Sequence, residues 1–126
     1  MDIKTILYSV LIAGIIVFSG CNRENQELKQ DAKNIAESMC KSIETMTKLK
    51  AANPADSIQI QKLQGEAQNV QKEMTVLYDE FKKKYGEKAT TPEFNKKFGK
   101  YLREAMLDCK YLSKEDRAAF EKELAK

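Results

Sequence analysis

Hydrophobic residues recur at intervals of three and four positions along most of the chain after residue 25. This spacing places them on one face of an α-helix, whereas a half-buried strand would alternate apolar and polar positions. It predicts a first helix from about Gln26 to Ala52 and a second helix that ends at Tyr85. The first stripe contains Leu28, Ala32, Ile35, Ala36, Met39, Ile43, Met46 and Leu49, and the second, more regular stripe contains Ile60, Leu63, Ala67, Val70, Met74, Leu77 and Phe81.

Residues that favour helix ends separate these stripes. Asn53 and Pro54 suit the N-cap and the first position of the second helix, and Gly86 suits its C-terminal cap. Pro92 lies in the first turn of a third predicted helix, and Ser113 caps a short fourth helix. The apolar residues of the third helix are Phe94, Phe98, Leu102, Ala105, Met106, Cys109 and Leu112, and those of the fourth are Phe120 and Leu124.

These helices predict the fold class. We find no β-type alternation, internal repeat or low-complexity segment in the sequence. Abundant Ala, Glu, Lys, Leu and Gln with only two prolines agree with a mainly helical protein. We therefore expect residues 26–126 to form one all-α domain, an antiparallel three-helix bundle in up-down-up order with a short fourth C-terminal helix.

The start of the chain has a different pattern. Residues 5–20 form a run of 16 positions without a charge, preceded by Lys4. A helix needs about 20 apolar residues to cross the hydrocarbon core of a bilayer. The shorter run instead suits the hydrophobic region of a signal peptide. It ends in Phe18-Ser19-Gly20-Cys21.

The sequence Phe18-Ser19-Gly20-Cys21 resembles the lipobox of bacterial lipoproteins. The resemblance implies that residues 1–20 are a cleaved signal peptide and that the Cys21 sulfur carries a diacylglycerol group. Two or three acyl chains would then hold the mature chain on a membrane, with residues 21–25 as a short tether. The alternative is an uncleaved transmembrane anchor in which Cys21 has no special role.

The same resemblance implies a location. A lipidated chain would be held at a bacterial membrane and would face the periplasm or the cell exterior. The residue after the cysteine is Asn22. It is not the aspartate that retains lipoproteins at the inner membrane in the best-known sorting rule, which favours the outer membrane.

Two cysteines remain once Cys21 is assigned to lipid: Cys40 and Cys109. Disulfides persist in exported proteins. At 1.5 Å per residue, Cys40 lies about 21 Å along the first predicted helix and Cys109 about 26 Å along the third, which runs parallel to it. These similar heights predict a Cys40–Cys109 disulfide. Two buried free thiols are the alternative.

Positive charge is concentrated in the second half of the chain, although the net charge is only +3. From Lys82 onward there are 13 basic and 8 acidic residues, whereas residues 21–81 contain 8 basic and 10 acidic residues. The turn between the second and third predicted helices lies at the same end of the bundle as the start of the first, and hence near Cys21. We call its lysines the basic turn and expect them to face the membrane: Lys82, Lys83, Lys84, Lys88, Lys96 and Lys97.

Other interpretations of the basic turn stay open. The simplest is a solvated charged face above a packed apolar stripe. Aromatic residues between lysines also occur in nucleic-acid binders, but here nearly all of them are explained by core or turn packing. We therefore expect no nucleic-acid partner.

The residue types of common catalytic sites are missing. The chain has no histidine, which excludes Ser-His and Cys-His nucleophile pairs and zinc sites that use imidazole. Its five glycines are scattered and form no phosphate-binding loop. We expect no enzyme activity, metal or cofactor. The remaining enzyme hypothesis would have to use Lys, Tyr and carboxylates alone.

Together these patterns predict a non-catalytic, lipid-anchored helical lipoprotein of the cell envelope. It would serve as a protein-interaction or structural module, with an unknown envelope or extracellular protein as its partner. The alternative is a bundle that holds a lipid or another small apolar ligand among its flexible methionines. These methionines are Met39, Met46, Met74 and Met106.

Overall fold

Four α-helices make up most of the chain in the computed structural model, which describes secondary structure from residue 3 and side chains from residue 23 to residue 126. No strand occurs among residues 3–126, so the predicted all-α class is confirmed. The lipobox-like sequence Phe18–Cys21 lies outside the residues whose side chains are described. The elements are α1 (Ile3–Ala51), α2 (Ser57–Tyr85), a 3₁₀ helix (Gly86–Thr90), α3 (Pro92–Met106) and α4 (Lys114–Leu124).

The described part of α1 begins before the predicted start at Gln26. It includes Arg23, whose guanidinium lies 4.0 Å from the Glu27 carboxylate one helical turn later. Residues 23–25 are polar and carry no apolar periodicity, so the pattern alone does not mark them as helical. The division into signal peptide, tether and domain stays a prediction. None of the helical segments that the structure describes combines the length and apolarity needed to cross a bilayer.

Polar side chains cap the later helices. At Asp56, Thr91 and Ser113, the side-chain oxygen accepts a hydrogen bond from the backbone N–H three residues later. Thr91 and Ser113 lie where the sequence predicts helix starts. The second helix, however, begins later than predicted, because Asn53 accepts from the N–H of Ala55 and closes a turn instead of capping α2.

Gly86 ends α2 as predicted. Its φ is +52°, the one positive φ among the described residues, and its N–H donates to the carbonyl of Lys82. Glycine adopts this conformation without the clash that a Cβ would cause. The chain can therefore turn at once into the 3₁₀ helix.

The end of α3 differs from the prediction. The helix stops at Met106, and the N–H of Cys109 bonds to the carbonyl of Met106 in a tighter turn. Cys109 and Leu112 thus lie in the α3–α4 connection and not on the third helix. Both are still buried, because they pack with Ala36 and Met106 in one apolar cluster. Arg117 of α4 donates hydrogen bonds to the carbonyls of Leu107 and Cys109 in this connection.

The core is centred on α1, which contacts both α2 and α3. Of the apolar stripe on α2, only Leu63 is fully buried and the other members are half-buried. The backbone of α2 lies close to that of α1 but not to that of α3. α2 and α3 meet through side chains such as Phe81 and Phe98, whose ring centroids are 4.6 Å apart. The buried apolar residues are Leu28, Ala32, Ile35, Ala36, Leu63, Tyr85, Met106, Cys109 and Leu112.

The predicted disulfide between Cys40 and Cys109 is confirmed. The two Cα atoms are 5.7 Å apart, and the bond joins residues separated by 69 positions. In the chain-entropy model a loop of this length stabilises the fold by about 4 kcal/mol. The bond fixes the α3–α4 connection to the middle of the described part of α1.

Candidate functional site

The basic turn occupies the end of α2, the 3₁₀ helix and the first turns of α3. All six of its lysines are exposed. Lys88 Nζ lies 3.0 Å from Glu24 Oε1, and Lys97 Nζ donates to Asn25 Oδ1 over 2.7 Å. As the sequence predicts, the turn lies beside the start of the bundle part of α1. Its orientation towards a membrane stays a prediction.

A third lysine of the basic turn is held by an aspartate of α1. Lys84 Nζ lies 2.8 Å from Asp31 Oδ2, and the hydroxyl of Tyr85 donates to the same oxygen over 2.6 Å. The hydrogen bond to Asp31 raises the pKa of Lys84. Burial raises the pKa of Tyr85 well above its ordinary value, and the hydrogen bond to Asp31 adds to this. Both side chains therefore stay protonated at neutral pH.

The aromatic residues of this region pack on each other beneath the lysines. The ring of Phe81 lies 4.7 Å from that of Tyr85 and 6.0 Å from that of Phe94, measured between centroids. Tyr85 and Phe94 are 5.1 Å apart. Such distances are typical of stabilising aromatic pairs. Packing thus accounts for Phe81, Tyr85 and Phe94, as the sequence suggests.

The other three lysines of the basic turn have no such partner. Lys82, Lys83 and Lys96 form no ion pair within residues 23–126. Their charges are therefore free to act on a ligand or surface. The structure divides the predicted set into three lysines that hold the turn to α1 and three that project into solvent.

A cleft that the sequence pattern does not predict lies between α3 and α4. It has a volume of about 630 Å³, and five of its lining residues are basic while two are acidic. The basic residues of α3 recur at helical spacing, and this was the one feature of the sequence that could have indicated a basic face. The cleft also requires the end of α4 to lie beside α3, which the sequence does not show. We call this cleft the α3–α4 groove. It is lined by Glu93, Lys96, Lys97, Lys100, Tyr101, Arg103, Glu123, Leu124 and Lys126.

The methionines proposed to hold an apolar ligand differ in their surroundings, and Met39 packs against the buried cluster that contains Met106. Met106 is buried in the core, whereas Met46 is 50% exposed. The α3–α4 groove and the clefts along α1 contain no methionine in their linings. The ligand-holding alternative therefore gains no support from a methionine-lined cavity and stays a prediction.

The described residues bring together no group of three or more cysteine, aspartate or glutamate side chains that could hold a metal ion. No family model matches the chain, and no curated protein or solved structure is significantly similar to it. A function has to be argued from the residues themselves.

Proposed function

We propose that this chain is a non-catalytic, lipid-anchored helical lipoprotein of the bacterial cell envelope. The observation that carries the anchor is the sequence Phe18-Ser19-Gly20-Cys21, which resembles a lipobox. The contact between Lys88 and Glu24, 3.0 Å apart, brings the basic turn close to this segment. Glu24 is three residues after Cys21, a separation that even an extended chain spans with at most about 11 Å. An acylated Cys21 would therefore hold the basic turn at the membrane surface.

The charges at this end suit such a position. Lys82, Lys83 and Lys96 are exposed and have no ion-pair partner in the described part of the chain. Each lysine close to an anionic bilayer contributes about 1 kcal/mol of attraction. This attraction would supplement the acyl chains and would orient the bundle on them.

We propose further that α1, α2 and α3 are arranged up-down-up. Residue numbers rise together in the contacts between α1 and α3, which supports parallel helices. They run in opposite directions in the contacts between α1 and α2, which supports antiparallel helices. The contacts are Asn25–Lys97 for the first pair, with Cys40–Cys109 just past the end of α3, and Asp31–Lys84 and Lys41–Glu73 for the second.

The proposed role is a protein-interaction or structural module, with an envelope or extracellular protein as its partner. Ile58 at the start of α2, whose side chain is 81% exposed, is one apolar residue that such a partner could contact. It precedes Tyr85 by 27 residues, which is about 40 Å along the helix. An anchored bundle would present this apolar residue on the side away from the membrane.

The anchor is tested by intact-mass analysis of the protein from membranes of the producing cell. We expect the chain to begin at Cys21, to carry the mass of two or three acyl groups, and to show the two-dalton deficit of the Cys40–Cys109 bridge. The Cys21→Ser variant should lack the acyl mass and keep residues 1–20.

The matched control is Cys40→Ser, which also removes one thiol but lies outside the lipobox. It should lose the two-dalton deficit while acylation and cleavage stay unchanged. Wild-type protein that still carries residues 1–20 without acyl groups would contradict the proposal and would favour an uncleaved transmembrane anchor.

A further inference from the structure

Basic side chains continue from the basic turn along the side of α3. Lys96, Lys100 and Arg103 form no ion pair within residues 23–126. Their spacing of four and three residues places them on one face of the helix. All three line the α3–α4 groove. The groove therefore concentrates basic groups along one wall.

The acidic residues of the groove offset this charge only in part. Glu123 is engaged by Lys126, whose Nζ lies 2.7 Å from its carboxylate. This hydrogen bond lowers the pKa of Glu123. Since one lysine and one glutamate pair with each other, four bases face the single remaining acid, Glu93. The groove is suited to an anion.

A glycine in the middle of α3 makes room for the head of Arg103. A Cβ at Gly99 would lie 3.3 Å from Arg103 Nη1, which is closer than an ordinary van der Waals contact. Glycine in a helix interior costs about 1 kcal/mol relative to alanine. No positive φ requires it here. The guanidinium thus lies against the bare backbone of the helix.

The rest of the lining is apolar. Tyr101 and Leu124 are half-buried and line the groove, and the methylene stems of the lysines extend this surface. The groove's volume of about 630 Å³ falls within the range of small-molecule sites, roughly 300 to 1,000 Å³. Several cations beside apolar side chains match a ligand with a charged head and an apolar tail.

We propose that the α3–α4 groove binds an amphiphilic anion, a phosphate or carboxylate group joined to an apolar chain. Arg103 contacts the head with its planar fork of donors, a geometry that suits both anions. Lys96 and Lys100 neutralise the head, and the tail lies against Tyr101 and Leu124. This inference does not depend on acylation of Cys21, because the groove is formed by α3 and α4 alone.

The test is calorimetric titration of the full chain in phosphatidylcholine nanodiscs with dihexanoyl phosphatidic acid, a soluble probe, after subtraction of its uptake by empty nanodiscs. We expect the double variant Lys100→Glu with Arg103→Glu to weaken binding at least about tenfold. The control, Lys62→Glu with Lys72→Glu, makes the same charge change on α2 outside the groove and should weaken binding about twofold or less.

Two more probes separate the parts of the ligand. Dihexanoyl phosphatidylcholine has the same tail and no net charge, and inorganic phosphate has no tail. We expect both to bind at least about tenfold more weakly than the anionic probe. Equal binding of inorganic phosphate would overturn the amphiphile assignment. Equal loss of binding in the groove and control variants would overturn the site.

A further arm distinguishes a free amphiphile from a lipid of the bilayer. The full chain is placed in phosphatidylglycerol-containing vesicles and in phosphatidylcholine vesicles, and protection of α3 and α4 amides from hydrogen exchange is compared. If the soluble probe binds at the groove, the source is a free amphiphile. If only anionic vesicles protect it and Lys100→Glu with Arg103→Glu abolishes protection, the source is the bilayer. Response to neither probe nor vesicles would overturn the proposal.

Discussion

Asp31 accepts hydrogen bonds from two consecutive residues of α2, Lys84 and Tyr85, through one carboxylate oxygen. Tyr85 is only 7% exposed, so this contact couples the basic turn to the core. A buried hydroxyl needs a partner, because an unpaired one costs about 1–3 kcal/mol. One aspartate thus fixes both the position of a surface lysine and the orientation of a core tyrosine.

This arrangement predicts a loss of stability at alkaline pH. The pKa of Tyr85 is raised above its ordinary value of 10.0, mainly by burial and then by Asp31, and the pKa of Lys84 is raised above 10.5. Groups with a raised folded-state pKa stabilise the fold below the unfolded pKa and lose this contribution as pH rises through the folded-state value. Urea unfolding should therefore show stability falling from about pH 10 upward.

The variant Tyr85→Phe should be less stable at pH 7, because Asp31 loses a hydrogen bond, but its stability should fall less steeply above pH 10. The control is Tyr78→Phe at an exposed position, which should leave the alkaline slope unchanged. An unchanged slope in Tyr85→Phe would show that another group governs the alkaline transition.

Gly65 and Gly99 lie inside helices, away from any turn, and we expect alanine at these two positions to change the free energy of unfolding by different amounts. A Cβ at Gly65 would meet nothing within 4 Å, whereas one at Gly99 would press on the guanidinium of Arg103 at 3.3 Å. Gly65→Ala should raise the free energy of unfolding by about 0.5 to 1 kcal/mol through helix propensity. Gly99→Ala should gain less, since Arg103 must move. Urea unfolding at neutral pH measures both, and equal gains would contradict the proposed packing of Arg103.

At the scale of the elements, periodicity predicts which helices exist better than where they begin and end. The stripe on α2, the position of Pro92 in the first turn of α3 and the cap at Ser113 depend on neighbours in sequence, and they are present as predicted. The end of α3 depends on Arg117, which holds the carbonyls of Leu107 and Cys109 from another helix. The spacing of apolar residues within α3 does not reveal a contact with another helix.

The disulfide is predictable for a related reason. Its two cysteines have similar predicted heights along helices that the up-down-up prediction makes parallel, and an error of one helical turn at the end of α3 does not change that result. The Cα atoms lie 5.7 Å apart although Cys109 lies past the helix. A prediction from height along a helix survives an error of a few residues in the helix boundary, whereas the prediction of a capping residue does not.

Removal of the disulfide should weaken the bundle more than any single surface change. The double variant Cys40→Ala with Cys109→Ala opens a crosslink between residues 69 positions apart. It should lower the free energy of unfolding by about 4 kcal/mol. Urea unfolding of the full chain measures this, and reductant should destabilise the wild type while leaving the variant unchanged. A loss of less than about 1 kcal/mol would mean that the packing of Met106 and Leu112 holds the connection without the bond.

For the whole molecule, the two ends of α2 differ in their exposed side chains. The basic turn lies beside Glu24 and Asn25, and exposed Ile58 lies at the other end of α2. The sequence predicts that the basic turn lies beside the start of the first helix, because this prediction needs only the order of the helices and the short distance in sequence from Cys21 to that start. It does not reveal the α3–α4 groove, since that depends on how closely α4 packs on α3.

The proposed anchor and the difference between the ends together predict an upright bundle on the membrane. Position 83 lies in the basic turn, position 72 lies midway along α2, and position 58 lies at its start. At 1.5 Å per residue the outer two positions are about 37 Å apart along the helix. A fluorescent amino acid placed at each position in turn, in the full chain on vesicles that carry a headgroup quencher, should therefore be quenched most at 83, less at 72 and least at 58. All three positions are exposed, so differences in burial do not produce this order. Equal quenching at 58 and 83 would show that α2 lies flat on the bilayer, and Ile58 would then face lipid instead of a protein partner.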